Sequence, residues 1–204
     1  YDDHGLAIFG MIVGQHNGYG VMGCAPRAAA RAYSFQRSTG NQDRPGTMAR
    51  MVADSRSGDI ILLEMQWGTR GTGTGPVINV PADYDPPIWD LNKQATDAGV
   101  VVVGTAGNGG LVGGVTRGAN LDSSVYSAYR ARGDNGVIME GAGTSNNSHT
   151  KLNYSTYGRC CVHVQGWGQN VVTTGYGTLA DFSPADNRQS YSNSFSGTSS
   201  GGGH

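Results

Sequence analysis

Val100-Val101-Val102-Val103-Gly104-Thr105-Ala106-Gly107-Asn108 decides the fold, because four consecutive β-branched residues run straight into a Gly-containing turn. A continuous apolar run of this length, without polar alternation, is the pattern of a parallel strand covered on both faces. Ile60-Ile61-Leu62-Leu63 repeats it upstream after a Gly58-Asp59 break. Between the two, Pro86 and Pro87 open a predicted helix carrying Ile88, Leu91, Ala95 and Ala98, and Gly99 stops it. Strand, helix, strand in this order predicts an α/β domain with a right-handed crossover and a mostly parallel sheet, whose ligands bind at the carboxyl ends of the strands.

The pattern extends in both directions. Ile8, Met11 and Ile12 mark a helix from His4 to Val13, ended by Asn17-Gly18-Tyr19-Gly20. Ala28 to Phe35 reads as a strand. Thr47 to Ser57 reads as a helix with Thr47 as N-cap and Met48, Met51 and Val52 on one face. Downstream, Val137–Ala142, Cys161–Val164 and Val171–Thr174 read as short strands, and Ser183 to Ser194 as a polar loop. No internal repeat or linker interrupts the 204 residues, so a single domain is expected.

Composition narrows the function classes. Charged residues make up 14% of the chain and the formal net charge is -1, so no basic face invites nucleic acid. The 34 glycines follow no period and separate apolar runs, which excludes a collagen-like or fully disordered chain. No apolar run approaches the roughly 20 residues of a membrane-spanning helix. Low charge with many Gly, Ser, Thr and Asn accompanies extracellular enzymes. Of the three cysteines, Cys160 and Cys161 are neighbours expected not to pair with each other, and Cys24 is expected to pack as a small hydrophobe. His16 and His149 lie in polar turns, His163 alternates within a strand-like segment, and His204 ends the chain after three glycines.

Three segments carry chemistry. Asp3-His4-Gly5 is followed, after the first helix, by Asn17-Gly18-Tyr19-Gly20-Val21-Met22-Gly23-Cys24-Ala25-Pro26. Ala106-Gly107-Asn108 follows the valine run, and Phe195-Ser196-Gly197-Thr198-Ser199-Ser200 lies near the other end. In that order these segments resemble the subtilases, the subtilisin-like serine proteases, and Gly166-Trp167-Gly168-Gln169-Asn170-Val171-Val172-Thr173-Thr174 extends the resemblance over most of the chain. It implies a three-layer subtilisin-like fold with a mostly parallel sheet flanked by helices. It also implies a secreted serine endopeptidase in which His4 is the general base, Ser199 the nucleophile and Asn108 the oxyanion donor. Imidazole titrates near neutrality and can take the serine proton; a side-chain amide can stabilise the oxyanion.

The same resemblance places the substrate backbone beside Glu64-Met65-Gln66 and makes Thr105-Ala106-Gly107 a wall of the pocket before the scissile bond. Relatives often read Ser-Leu-Gly at the first of these segments. Glu64 therefore either favours a basic residue near the cleavage point or pairs internally. No cofactor is required; structural calcium is common among subtilases, with Asn120-Leu121-Asp122 and Asp134-Asn135-Gly136 as candidate oxygen donors. The implied partners are protein or peptide substrates, together with a propeptide or the remainder of the domain.

The chain departs from the family pattern at both ends. The acid of the triad lies well upstream of the histidine in subtilases, whereas this sequence starts three residues before His4, and Asp2 and Asp3 are not assigned that role. After Ser200 come Gly201-Gly202-Gly203-His204, poor helix formers where relatives begin a long helix. The chain thus reads as part of a catalytic domain. The competing reading is a subtilase-like fragment that binds peptide without cleaving it.

Overall fold

The computed structural model describes residues 3–71, 75–182 and 189–203. In chain order its principal elements are α1 (His4–Val13), β1 (Gln36–Ser38), β2 (Asn41–Gln42), α2 (Arg44–Asp54), β3 (Ile60–Leu63), β4 (Gln66–Thr69), β5 (Ile78–Pro81), α3 (Pro86–Asp97), β6 (Val101–Thr105), β7 (Gly110–Val112), β8 (Val115–Arg117), α4 (Ser127–Arg130), β9 (Ile138–Gly143), β10 (Val164–Trp167), β11 (Val171–Thr174), β12 (Ala180–Asp181), β13 (Ser190–Phe195) and α5 (Thr198–Gly202). They divide into two compact units. One, the sheet unit, holds residues 33–141 and 153–164; the other, the helical unit, holds 1–32, 142–152 and 165–204.

In the sheet unit the two apolar runs form the parallel pair that the sequence predicts, with Ile60 beside Val101 and Leu63 beside Gly104. β9 joins the other side of β6, placing Glu140 beside Thr105. Ile61, Leu63, Val102 and Met139 are buried with Met48 of α2 and Ile88 of α3 in one core. The opposite face is not closed in the same way: Ile60 is 70% and Val101 41% exposed, so the expectation of two covered faces holds for only part of each strand. α3 begins at its prolines and stops at Gly99, whose φ of 82° is open to glycine.

α2 starts earlier than the sequence suggested. Asp43, not Thr47, is the N-cap, accepting a hydrogen bond from Gly46 N at 2.8 Å, and Pro45 occupies the first turn. Thr47 is buried inside the helix, which ends at Asp54. The strand expected over Ala28–Phe35 does not form. Ala28 to Ala32 are all exposed, so no buried face is available to fix a register.

In the helical unit, α1 lies against β11. Gly10 makes this approach close: a Cβ there would stand 2.4 Å from Thr174 Oγ1 and 2.6 Å from Thr173 Oγ1. Those two hydroxyls donate to the carbonyls of Leu6 and Ala7, at 2.7 and 2.5 Å. The chain then folds back so that Cys24 N and Ala25 N donate to the Met11 and Ile12 carbonyls, satisfying acceptors that the helix end leaves open. Cys24 itself is exposed and free, contrary to the expected hydrophobic packing.

Within the Ser183–Ser194 segment expected to be a loop, residues 183–188 lie outside the described residues, and Ser190–Ser194 belong to β13. This strand pairs antiparallel with β11 and β12. Its buried residues include Ser190 and Ser192, whose hydroxyls find partners in Asp181 and Thr178, so the inward face lacks the apolar period that marks a strand in sequence. α5 is a further correction: the helix forms despite its glycines. Gly201 is buried, and a Cβ on Gly203 would stand 2.3 Å from Met11 Cε, so packing against α1 overrides poor helix propensity.

The strand expected from Cys161 begins instead at Val164. Residues 159–161 form a turn in which Cys161 N donates to the Gly158 carbonyl, and Cys160 and Cys161 form a disulfide. Adjacent side chains diverge across a strand but can converge in a turn, which accounts for this pairing.

Candidate active site

His4 and Ser199 both belong to the helical unit, and Asn108 to the sheet unit. His4 opens α1. Its imidazole stands edge-on to the Phe195 ring with centroids 5.8 Å apart, and Tyr176 stacks on the same ring at 5.9 Å. Burial pushes the His4 pKa below its ordinary 6.5, which keeps the ring neutral, the form a general base requires. Phe195 ends β13, the strand that leads into the Gly197–Ser200 turn. No sequence signal beyond its place in that quoted run marked it.

The turn is built on Gly197, whose φ of 102° and ψ of 173° exclude a side chain. Gly197 N donates to the Gly168 carbonyl at 3.0 Å, fastening the turn to the Gly166–Gly168 segment. Thr198, Ser199 and Ser200 follow as the first residues of α5, all buried. The two adjacent serines differ. Ser200 Oγ lies 2.8 Å from the Trp167 carbonyl and 2.9 Å from that of Gly197, and is committed to holding the turn. Ser199, 8% exposed, has no such bond among the described residues. No hydrogen bond joins it to His4 there, and nucleophile–base pairs commonly tighten only around substrate.

The Asp3 carboxylate accepts a hydrogen bond from Tyr176 N at 2.9 Å. Asp2 lies outside the described residues.

In the sheet unit, the remaining candidates emerge together at the carboxyl edge of β3 and β6. Thr105 Oγ1 donates to the Met65 carbonyl at 3.4 Å, and Asn108 N donates to Gln66 Oε1 at 2.9 Å. The Ala106-Gly107-Asn108 turn is held on several sides. Ala106 N donates to the Glu140 carbonyl, Thr156 N to the Gly107 carbonyl, and Asn79 and Gly109 exchange backbone bonds. Gly107 has a φ of 97°, and a Cβ on it would stand 2.7 Å from the Asn79 carbonyl. Asn108 is thereby presented half-buried on a rigid turn.

The substrate-binding candidates do not all face outward. Met65 is 6% exposed and belongs to the core, Gln66 enters β4 opposite Pro81, and both carboxylate oxygens of Glu64 are shielded from solvent. Thr105 and Ala106 are buried as well. Glu140, which sequence reasoning did not single out, lies beside Thr105 in register. Burial pushes its carboxyl up to about 7.

The two oxygen-rich segments considered for calcium make hydrogen bonds to other groups of the sheet unit. Asp122 accepts from Arg159 N and Cys160 N, Asp134 from Gly136 N, and Asn135 donates to Asp83. Among the described residues no three His, Cys, Asp or Glu side chains gather in a metal-binding group.

The model of the subtilase family, Peptidase S8, matches residues 1–204. Among solved structures, the chain is similar to the self-cleaved protease domain of PatA, with a TM-score of 0.62 and 16% identity over 98% of this chain and 62% of that one. It is similar to sphericase, with a TM-score of 0.60 and 18% identity over 98% and 60%. The epidermin leader peptide processing serine protease EpiP from Staphylococcus aureus gives a TM-score of 0.64 and 14% identity over 98% and 50%. These likenesses show a subtilisin-like α/β fold. The chain spans about 60% of the length of the first structures it matches. No curated protein matches it.

Proposed function

The chain belongs to the subtilase family of serine peptidases, and from that premise we propose that it hydrolyses peptide bonds as a serine endopeptidase. Ser199 is the nucleophile and His4 the general base. Asn108 and the Ser199 N–H donate to the oxyanion of the tetrahedral intermediate. The observation that carries this reading is the nucleophile turn: Gly197 sets its backbone, Ser200 anchors it, and Ser199 is left uncommitted beside the strand end on which His4 rests.

The steps follow from these groups. Neutral His4 takes the Ser199 proton as Oγ attacks the carbonyl carbon, and the carbonyl oxygen gains negative charge. Donors already fixed in place stabilise that charge without reorganising, and in subtilisin, the family's namesake, loss of one such side-chain donor lowers turnover by roughly 10²–10³. The rigid turn around Asn108 is suited to that role. Protonated His4 then gives its proton to the leaving amine, and water repeats the sequence on the acyl-enzyme.

Protein or peptide chains are the substrates, bound along Glu64–Gln66 and Thr105–Gly107. The chemistry requires no cofactor; structural calcium and a propeptide are family features extended to this protein as part of the proposal. Secretion is proposed on the low charge of the surface, and the Cys160–Cys161 disulfide supports an oxidising compartment. The test is cleavage of an unfolded protein substrate followed by mass spectrometry. Internal cleavage that disappears in Ser199→Ala is expected; turnover equal in the two proteins would reject the assignment.

A further inference from the structure

Cys160 and Cys161 take no part in the proposed hydrolysis, yet their disulfide lines a cavity of about 330 Å³ lying wholly within the sheet unit. Cys160 is an exposed residue and Cys161 is half-buried. Cys161 also packs against the cluster of Val80, Leu121 and Tyr129, and thereby joins the surface of the cavity to the core.

The walls of the cavity are of two kinds. On one side Asp83 is 3% exposed and fastened by Tyr129 Oη and Asn135 Nδ2, each at 2.8 Å. That wall is fixed by side-chain bonds to a buried carboxyl. On the other side the chain is held by backbone hydrogen bonds, including those from Cys161 N and Val162 N to the Gly158 carbonyl at 3.2 and 3.0 Å. Arg159 N and Cys160 N donate to the Asp122 carboxylate at 3.0 and 3.1 Å. Beyond the disulfide, His163 N donates to the Met139 carbonyl at 2.8 Å and Met139 N donates to His163 Nδ1 at 2.9 Å. The disulfide is the covalent constraint between those anchors.

We propose that Cys160–Cys161 is a thiol–disulfide exchange site whose reduction by an external dithiol loosens one wall of this cavity. A thiolate of the dithiol attacks the sulfur of Cys160, the more exposed of the two residues, forming a mixed disulfide as the Cys160–Cys161 bond breaks and Cys161 leaves as a thiolate that takes a proton. The second thiol of the reductant then attacks its own mixed-disulfide sulfur, forming the oxidised dithiol and releasing Cys160, which is protonated in turn. Two electrons and two protons pass to the protein. Cys160 and Cys161 lose the tie between their side chains while the bonds to Asp122, Gly158 and Met139 hold the flanking backbone, so the change is local.

Native protein is treated with iodoacetamide, with and without prior dithiothreitol, mapped by peptide mass and followed by hydrogen exchange. Alkylation at Cys24 alone is expected before reduction, and at Cys24, Cys160 and Cys161 after it. Amide exchange over 159–163 is expected to rise about tenfold or more on reduction, with α2 and α3 unchanged. A Cys160→Ser/Cys161→Ser double variant should show the faster exchange without reductant. Alkylation of Cys160 before reduction, its absence afterwards, or unchanged exchange over 159–163 would overturn the proposal.

Discussion

The His4 imidazole lies edge-on to the Phe195 ring at 5.8 Å, and this contact joins the start of α1 to the strand that leads into the Gly197–Ser200 turn. Phe195 is 6% exposed. Truncation to alanine removes both core volume and the ring against which His4 rests. Phe195→Ala is expected to lose roughly 3–5 kcal/mol of stability in urea unfolding. Phe195→Tyr is expected to keep the ring contact and most of the hydrolytic rate, and a rate as low as that of the alanine variant would show that the ring does not position His4.

The pH dependence of His4 has a definite sign. Its pKa is below 6.5 in the folded chain because burial disfavours imidazolium, so the unfolded chain binds this proton more tightly. The associated stability is present above the unfolded value and is lost as pH falls through the folded one. Wild type is expected to lose more stability than His4→Gln between pH 7 and about pH 5, as measured by urea midpoints. The acid limb of the hydrolysis rate is expected to have its midpoint below 6.5.

Glu140 acts in the opposite sense. A carboxyl raised to about 7 by burial contributes stability that is complete below its unfolded value of 4.5 and is lost as pH rises through about 7. Glu140→Gln is expected to match wild type near pH 4 and to exceed it at pH 8 by up to about 3 kcal/mol. Equal stabilities at pH 8 would contradict the burial of this carboxyl.

Gly197 adopts a backbone conformation closed to other residues. Gly197→Ala is expected to cost roughly 1–3 kcal/mol and to displace Ser199. The hydrolytic rate should therefore fall further than the stability change explains, measured at a temperature where the variant remains fully folded.

The parallel pair of β3 and β6 was legible because two unbroken apolar runs flanked a helix with proline at its start and glycine at its end. α1 was legible from the spacing of Ile8, Met11 and Ile12, and it runs from His4 to Val13 as expected. β13 was hidden because its inward positions are serines satisfied by Asp181 and Thr178, an arrangement that carries no apolar period. α5 was hidden because propensity argued against glycine, whereas the segment is buried, with Gly203 close to the Met11 side chain. At the site, His4, Asn108 and Ser199 stood out through their neighbours in sequence. Phe195 and Glu140 owe their positions to pairing across strands, and Met65 turned out to fill the core, facts that depend on contacts distant in sequence.

The central claim is that Ser199 is a nucleophile activated by His4, and covalent labelling with a fluorophosphonate tests it most directly. A single adduct mapped to Ser199 is expected, absent from Ser199→Ala and formed on the order of a hundredfold more slowly in His4→Ala. No adduct, an adduct on Ser200, or labelling indifferent to His4 would contradict it.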